Sequence, residues 1–85
     1  MWIVYIIQHS NTKQIYIGRT NNLRCRLAEH NANRQDATKR KNGIWIVVYA
    51  EAYRDKKDAD EREQRLKDHG RAKQELKKRI KNSLL

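Results

Sequence analysis

Trp2-Ile3-Val4-Tyr5-Ile6-Ile7, Gln8-His9-Ser10-Asn11-Thr12-Lys13 and Gln14-Ile15-Tyr16-Ile17-Gly18 follow one another at the start of the chain. The first stretch is aromatic and β-branched, the composition of a strand. The second is wholly polar and reads as a turn. The third is a second short strand. Together they predict a hairpin. A turn centred on Ser10-Asn11 puts Tyr5 opposite Tyr16, with both rings on one face of the hairpin. The other face then carries Val4, Ile6, Ile15 and Ile17, an aliphatic set suited to a core.

Working outward from the hairpin, Asn21 is a good N-cap for a helix running to about Glu29 or His30. Leu23 and Leu27, four apart, form its buried stripe. Arg26 and His30 share a neighbouring stripe. A polar loop, residues 31–43, holds Arg34, Lys39, Arg40 and Lys41. Residues 44–50 (Ile-Trp-Ile-Val-Val-Tyr-Ala) give the strongest strand signal in the chain. Apolar residues fill both alternating sets, so this strand is expected to be covered on both faces. Asp55 caps a helix reaching Asp68, and Gly70 is placed as a helix stop. Leu76, Ile80 and Leu84 form the stripe of a last helix, whose opposite face is basic. The order β-β-α-β-α-α predicts an α/β (α+β) domain. It has a small three-stranded antiparallel sheet with flanking helices, and residues 1–85 form one unit.

The bulk numbers bound the partners. In 85 residues, 38% hydrophobic and 35% charged, roughly 60–65% of the unfolded surface can be buried, so the core is small. Twenty Lys and Arg against ten Asp and Glu give a net charge of +10. The excess is spread over both halves of the chain. Such a field attracts polyanions, with nucleic acid as the first candidate. A membrane is not expected, because no apolar run approaches the roughly 20 residues needed to span one. The N-terminal stretch lacks the basic leader of a signal peptide. A single cysteine, Cys25, permits no internal disulfide and points to the cytoplasm.

Two tyrosines on one hairpin face, a glycine two residues after the second, an Arg–His pair and a later acidic helix suit phosphodiester hydrolysis. That reaction needs a cation to neutralise the phosphate as charge builds. It also needs a carboxylate-held metal to polarise phosphate or leaving oxygen, and groups to move protons.

Here the sequence resembles a known family. Val4-Tyr5, then ten residues, then Tyr16-Ile17-Gly18, looks like the two halves of the GIY-YIG nuclease signature. The family has an arginine eight residues after the signature glycine, where Arg26 stands. Many members have a histidine four residues later, where His30 stands. The run Gly18-Arg19-Thr20-Asn21-Asn22-Leu23-Arg24-Cys25-Arg26-Leu27-Ala28-Glu29-His30-Asn31 is similar to the bacterial excinuclease-like branch and its small stand-alone members. Those members share a helix in which a glutamate is flanked by basic residues. Here it is Ala59-Asp60-Glu61-Arg62-Glu63-Gln64-Arg65-Leu66-Lys67, with Glu63 at the metal-ligand position. Two departures are visible. The first tripeptide reads Ile3-Val4-Tyr5 rather than Gly-Ile-Tyr. The asparagine many members carry after the glutamate has no clear equivalent, since Asn82 falls too late.

The resemblance implies a metal-dependent endonuclease acting on DNA, in repair or recombination, with Mg²⁺ or Mn²⁺ on Glu63. Tyr5 would activate water and Tyr16 orient the phosphate or water. Arg26 would stabilise the pentacovalent charge, and His30 would assist proton transfer. Gly18, Arg19, Lys39, Arg40 and Lys41 are the expected nucleic-acid contacts. Specificity would come from strand structure or from recruitment by a protein partner.

Taken singly, each residue has a plainer reading. Tyr5 and Tyr16 are sheet-packing aromatics, Arg26 a solvated helix residue, and His30 a charge complementing a helix C-terminus. Glu63 is one of several acidic residues between Glu51 and Asp68, with Asp60 and Glu61 equal to it. Trp2 and Trp45 read as core rather than as stacking platforms. The rival class is a catalytically weak or inactive nucleic-acid-binding module, for DNA or RNA, which fits the charge equally well and leaves the tyrosine–arginine–glutamate set without a purpose.

Overall fold

The structure, a computed structural model, describes residues 1–37, 43–68 and 70–85. Its elements are β1 (Trp2–His9), β2 (Ile15–Thr20), α1 (Leu23–Ala37), β3 (Trp45–Tyr53), α2 (Lys56–Asp68) and α3 (Gly70–Arg79). This is the predicted order. The strands form one antiparallel sheet in the order β2-β1-β3.

The hairpin forms with a different register. Tyr5 lies opposite Gly18, and Tyr16 lies opposite Ile7. The turn closes one step later than expected because His9 donates its amide to the Gln14 carbonyl at 2.9 Å. Lys13 enters the left-handed region (φ 64°) to complete that turn. The His9 ring stabilises it, Nδ1 accepting the amides of Asn11 and Thr12 at 3.2 and 3.1 Å. The shift moves each partner by two positions. Side chains alternate with period two, so the tyrosines still share a face. Their ring centroids are 6.3 Å apart.

The opposite face holds the core. Val4, Ile6 and Ile17 pack with Ala59 and Leu66 of α2 and Leu76 of α3, all buried. Trp2, Ile15, Val48, Tyr49, Tyr53, Ala72 and Ile80 close around them. Each fully buried aliphatic side chain contributes about 1.5–3 kcal/mol. Trp2 is thus core-packing, as expected. Trp45 sits on the other face, against His9 and His30.

The strand covered on both faces is β1, buried from Val4 through His9. The expected β3 signal is real, but β3 is an edge strand that is half-buried from Trp45 to Tyr49. Its two apolar sets have another cause. Ile6 pairs with Tyr49 but Ile7 pairs with Val47, so a bulge falls at Val48. Odd positions before the bulge share the Tyr5 face, while odd positions after it share the core face.

Helix α1 also departs from expectation. Its cap is Asn22, whose Oδ1 accepts the Cys25 amide at 3.1 Å, rather than Asn21. The helix continues to Ala37, through residues assigned to a loop. Residues 31–37 lack an apolar stripe, yet they hold no Gly or Pro to end a helix. Leu23 and Leu27 are half-buried, and so are His30 and Asn31. Asn31 docks the helix. Its Oδ1 accepts the Trp45 amide at 2.8 Å and its Nδ2 donates to the Trp45 carbonyl at 3.3 Å.

Asp55 caps α2 as predicted, accepting the Lys57 amide at 2.8 Å. Gly70 is not simply a stop, because it is the first residue of α3. A Cβ there would meet nothing within 4 Å, so the position does not require glycine. Leu76 is buried, Ile80 packs on the core and Leu84 is half-buried, but α3 ends at Arg79, so of the expected stripe the helix itself carries only Leu76. The sheet thus lies between α1 on one face and α2 with α3 on the other.

Candidate active site

The central strand positions Tyr5. Its ring is fully buried on the α1 side of the sheet. The hydroxyl oxygen lies 3.2 Å from Nε2 of His30, about two turns into α1. The Arg26 guanidinium, one turn earlier on the same helix stripe, bears on the same hydroxyl and favours its ionised form. With the His30 proton on Nδ1, Nε2 is the acceptor and the Tyr5 hydroxyl donates to it. Burial pushes the Tyr5 phenol up from its ordinary 10.0, against the lowering effect of Arg26. Burial, then the Arg26 charge, holds His30 below its ordinary 6.5. Near neutrality the pair is therefore a phenol donating to a neutral imidazole.

Arg26 is half-exposed and pairs with Glu29 at 3.0 Å. Glu29 is the first cause of its raised pKa and Tyr5 the second. The charge stays on the arginine at any working pH.

Tyr16 flanks the pair from β2. Its ring meets His30 edge-on, with centroids 4.6 Å apart, and is 38% exposed. Trp45 stands beyond His30 at 6.3 Å. Gly18 makes room for all of this. A Cβ there would lie 2.6 Å from the Tyr5 hydroxyl and 3.0 Å from Cε1 of Tyr16. Glycine is required by that close approach, not by a positive φ.

Glu63 comes from α2 and is near enough to bear on the Tyr5 phenol. Its side chain is 16% exposed. Lys67, one helical turn on, lies 3.2 Å from Oε2, and Arg19 lies 3.6 Å from Oε1. Arg19 also pairs with Asp60, which is shared with Lys56. Arg19, expected at the nucleic acid, is thus tied to the carboxylates of α2.

Among the described residues, no three His, Cys, Asp or Glu side chains gather to hold a metal. Glu63 offers one carboxylate, with Arg19 beside Oε1 and Lys67 beside Oε2. That suits Mg²⁺, which keeps several waters and takes one or two carboxylates plus substrate phosphate.

The structure therefore brings together Tyr5, Tyr16, Gly18, Arg26 and His30, with Glu63 alongside. Lys39, Arg40 and Lys41 lie outside the described residues. Sequence inspection passed over two further residues. Lys67 was legible only as an i,i+4 partner of Glu63. Asn31 gave no signal, because its partner is the backbone of a distant strand.

Comparison with known proteins agrees with this geometry. The GIY-YIG catalytic domain matches residues 1–82. A UPF0213 protein of Desulfotalea psychrophila is 35% identical over 68 residues, covering 78% of this chain and 60% of that one. An uncharacterized protein of Acanthamoeba polyphaga mimivirus is 34% identical over 59 residues, covering 65% and 36%. The chain thus spans less than two thirds of either relative. No solved structure gives a significant match. With the family match extending over nearly the whole sequence, the chain belongs to the GIY-YIG nuclease family.

Proposed function

We propose that residues 1–85 form one endonuclease domain that hydrolyses phosphodiester bonds in DNA, using a divalent cation and serving repair or recombination. The observation that carries this reading is the Tyr5 hydroxyl held between Arg26 and the 3.2 Å contact to His30. Membership of a nuclease family makes a nucleic acid the substrate class.

The chemistry follows from those contacts. Tyr5 is protonated at rest, so it cannot take a proton until it gives one up. His30 is neutral and accepts through Nε2. A water brought to the Tyr5 hydroxyl with the substrate passes its proton to the phenol oxygen as the phenol proton moves to His30. The hydroxide formed attacks phosphorus while the leaving oxygen departs on the far side. Arg26 faces the charge that gathers on the non-bridging oxygens. Its planar fork spans two acceptors where an ammonium spans one. Tyr16 confines the phosphate from β2.

GIY-YIG nucleases generally depend on a divalent metal. Bound at Glu63, Mg²⁺ or Mn²⁺ would supply Lewis-acid neutralisation of the phosphate and the leaving oxygen. The lone Cys25 supports a cytoplasmic setting.

The second reading, a binding module without catalysis, draws on the ion pairs that engage Glu63 through Arg19 and Lys67. One experiment separates the two. Purified protein is incubated with supercoiled plasmid, branched DNA and RNA, with Mg²⁺, Mn²⁺ or chelator, and Glu63→Ala is run in parallel. Metal-dependent cutting lost in Glu63→Ala supports the nuclease. Cutting at the same rate in both proteins exposes a contaminant. No cutting of any substrate leaves the binding module.

A further inference from the structure

Beside the exposed edge of β2 runs a groove of about 220 Å³, lined by Ile15, Tyr16, Ile17, Leu66, Lys67 and Lys73. Its charged side chains are both cationic. Two other grooves differ. Both are lined by Arg62 and Arg65, but one adds Asp58 and Glu61 and the other adds Glu75. The β2 groove also adjoins the candidate active site. Tyr16 belongs to both, with one edge toward His30 and its ring 5.8 Å from the Lys67 ammonium. Lys67 is tied to Glu63, whereas Lys73 makes no salt bridge among the described residues. An aromatic ring with apolar neighbours and an uncommitted ammonium on the rim suits one nucleotide of a strand. The ring takes the base or sugar, and the ammonium takes the phosphate.

We propose that this groove is the subsite for the nucleotide flanking the scissile phosphate, with Tyr16 as its floor and Lys73 as its phosphate contact. The proposal rests on the nuclease reading above, but its test does not require cleavage. A fluorescent single-stranded DNA oligonucleotide is titrated in chelator, and binding is followed by anisotropy across a salt series. Lys73→Gln is compared with Arg71→Gln. Both remove one positive charge from α3, but Arg71 is 91% exposed, pairs with Glu75 and does not line the groove. One lost phosphate contact lowers the slope of log K against log salt by about 0.7 for a single strand. Lys73→Gln is expected to show that drop, with about five-fold weaker binding at low salt. Arg71→Gln should keep the parent slope, and circular dichroism should show both variants folded.

Equal slopes for the two variants would overturn the groove as a subsite, whether or not the protein cuts DNA. A Lys73-specific drop in a protein that never cuts supports the groove and overturns the nuclease reading instead. A parent that does not bind the oligonucleotide overturns the groove as a subsite, and the nuclease reading then stands or falls on the plasmid, branched-DNA and RNA cleavage assay.

Discussion

Replacing Gly18 by alanine places a methyl group where the Tyr5 hydroxyl now sits. The added Cβ lies 2.6 Å from that oxygen and 2.8 Å from Cζ. Ordinary van der Waals contact begins near 3.4 Å, so the hydroxyl must retreat by about 0.8 Å. The ring cannot swing outward, because Tyr5 is fully buried on the central strand. Overpacking of this kind costs about 1–3 kcal/mol. At about 2 kcal/mol, Tm falls by roughly 8–16 °C for a chain of this size. The retreat also breaks the 3.2 Å contact to His30, and a displacement near 1 Å costs about 10²-fold in rate. Thermal unfolding and plasmid cleavage read the two effects. Adding Tyr5→Phe removes the clashing oxygen, so the double variant should recover part of the lost stability. Parent Tm in Gly18→Ala, or strictly additive losses in the double variant, would refute the close approach.

Further outcomes follow from the same contacts. Arg26→Ala should lose about 10²–10³-fold in metal-dependent cleavage with Tm unchanged, because Arg26 projects into solvent. Arg26→Lys should recover only part of that loss. His30 is held below its ordinary 6.5, so on acidification the unfolded chain takes up its proton before the native state does. Its contribution to stability is complete above about 6.5 and falls as pH drops from there through the lowered native value. Urea midpoints from neutral to acidic pH should show this decline, and His30→Gln should flatten it. Asn31→Ala removes both hydrogen bonds to the Trp45 backbone and should cost about 1–3 kcal/mol. Its signature is faster hydrogen exchange at the Trp45 amide.

The sequence made the element order and the face assignments of the hairpin legible, because period-two alternation survives a two-residue shift in register. It could not fix the register itself. That depends on His9 accepting two turn amides and on Lys13 adopting φ 64°, neither of which alters the hydrophobic pattern. The length of α1 was hidden because residues 31–37 are polar, and polarity without a breaker is compatible with either loop or helix. At the candidate site, the family resemblance singled out Tyr5, Tyr16, Arg26 and His30, and the structure places them together. Glu63 was named only through family resemblance, since Asp60 and Glu61 offer the same chemistry. In the fold both carboxylates are engaged by two cations, Asp60 by Arg19 and Lys56 and Glu63 by Arg19 and Lys67, and of the two only Glu63 bears on the Tyr5 phenol. Asn31 escaped notice because its partner is the backbone of a distant strand, and Lys67 because its contact with the Tyr16 ring crosses the tertiary structure.

The bulge at Val48 has a further consequence for how the family site tolerates change. Upstream of it, Trp45 and Val47 serve the layer that holds His30, and downstream of it Tyr49, Glu51 and Tyr53 serve the layer that holds Leu66 and Arg62. One strand is thus wired to two clients through a one-residue phase change. Deleting a single residue there would leave every side chain chemically intact and still hand one client the wrong set. The residue count of β3 therefore constrains the site as much as the tyrosines do, even though no atom of the bulge needs to touch a substrate.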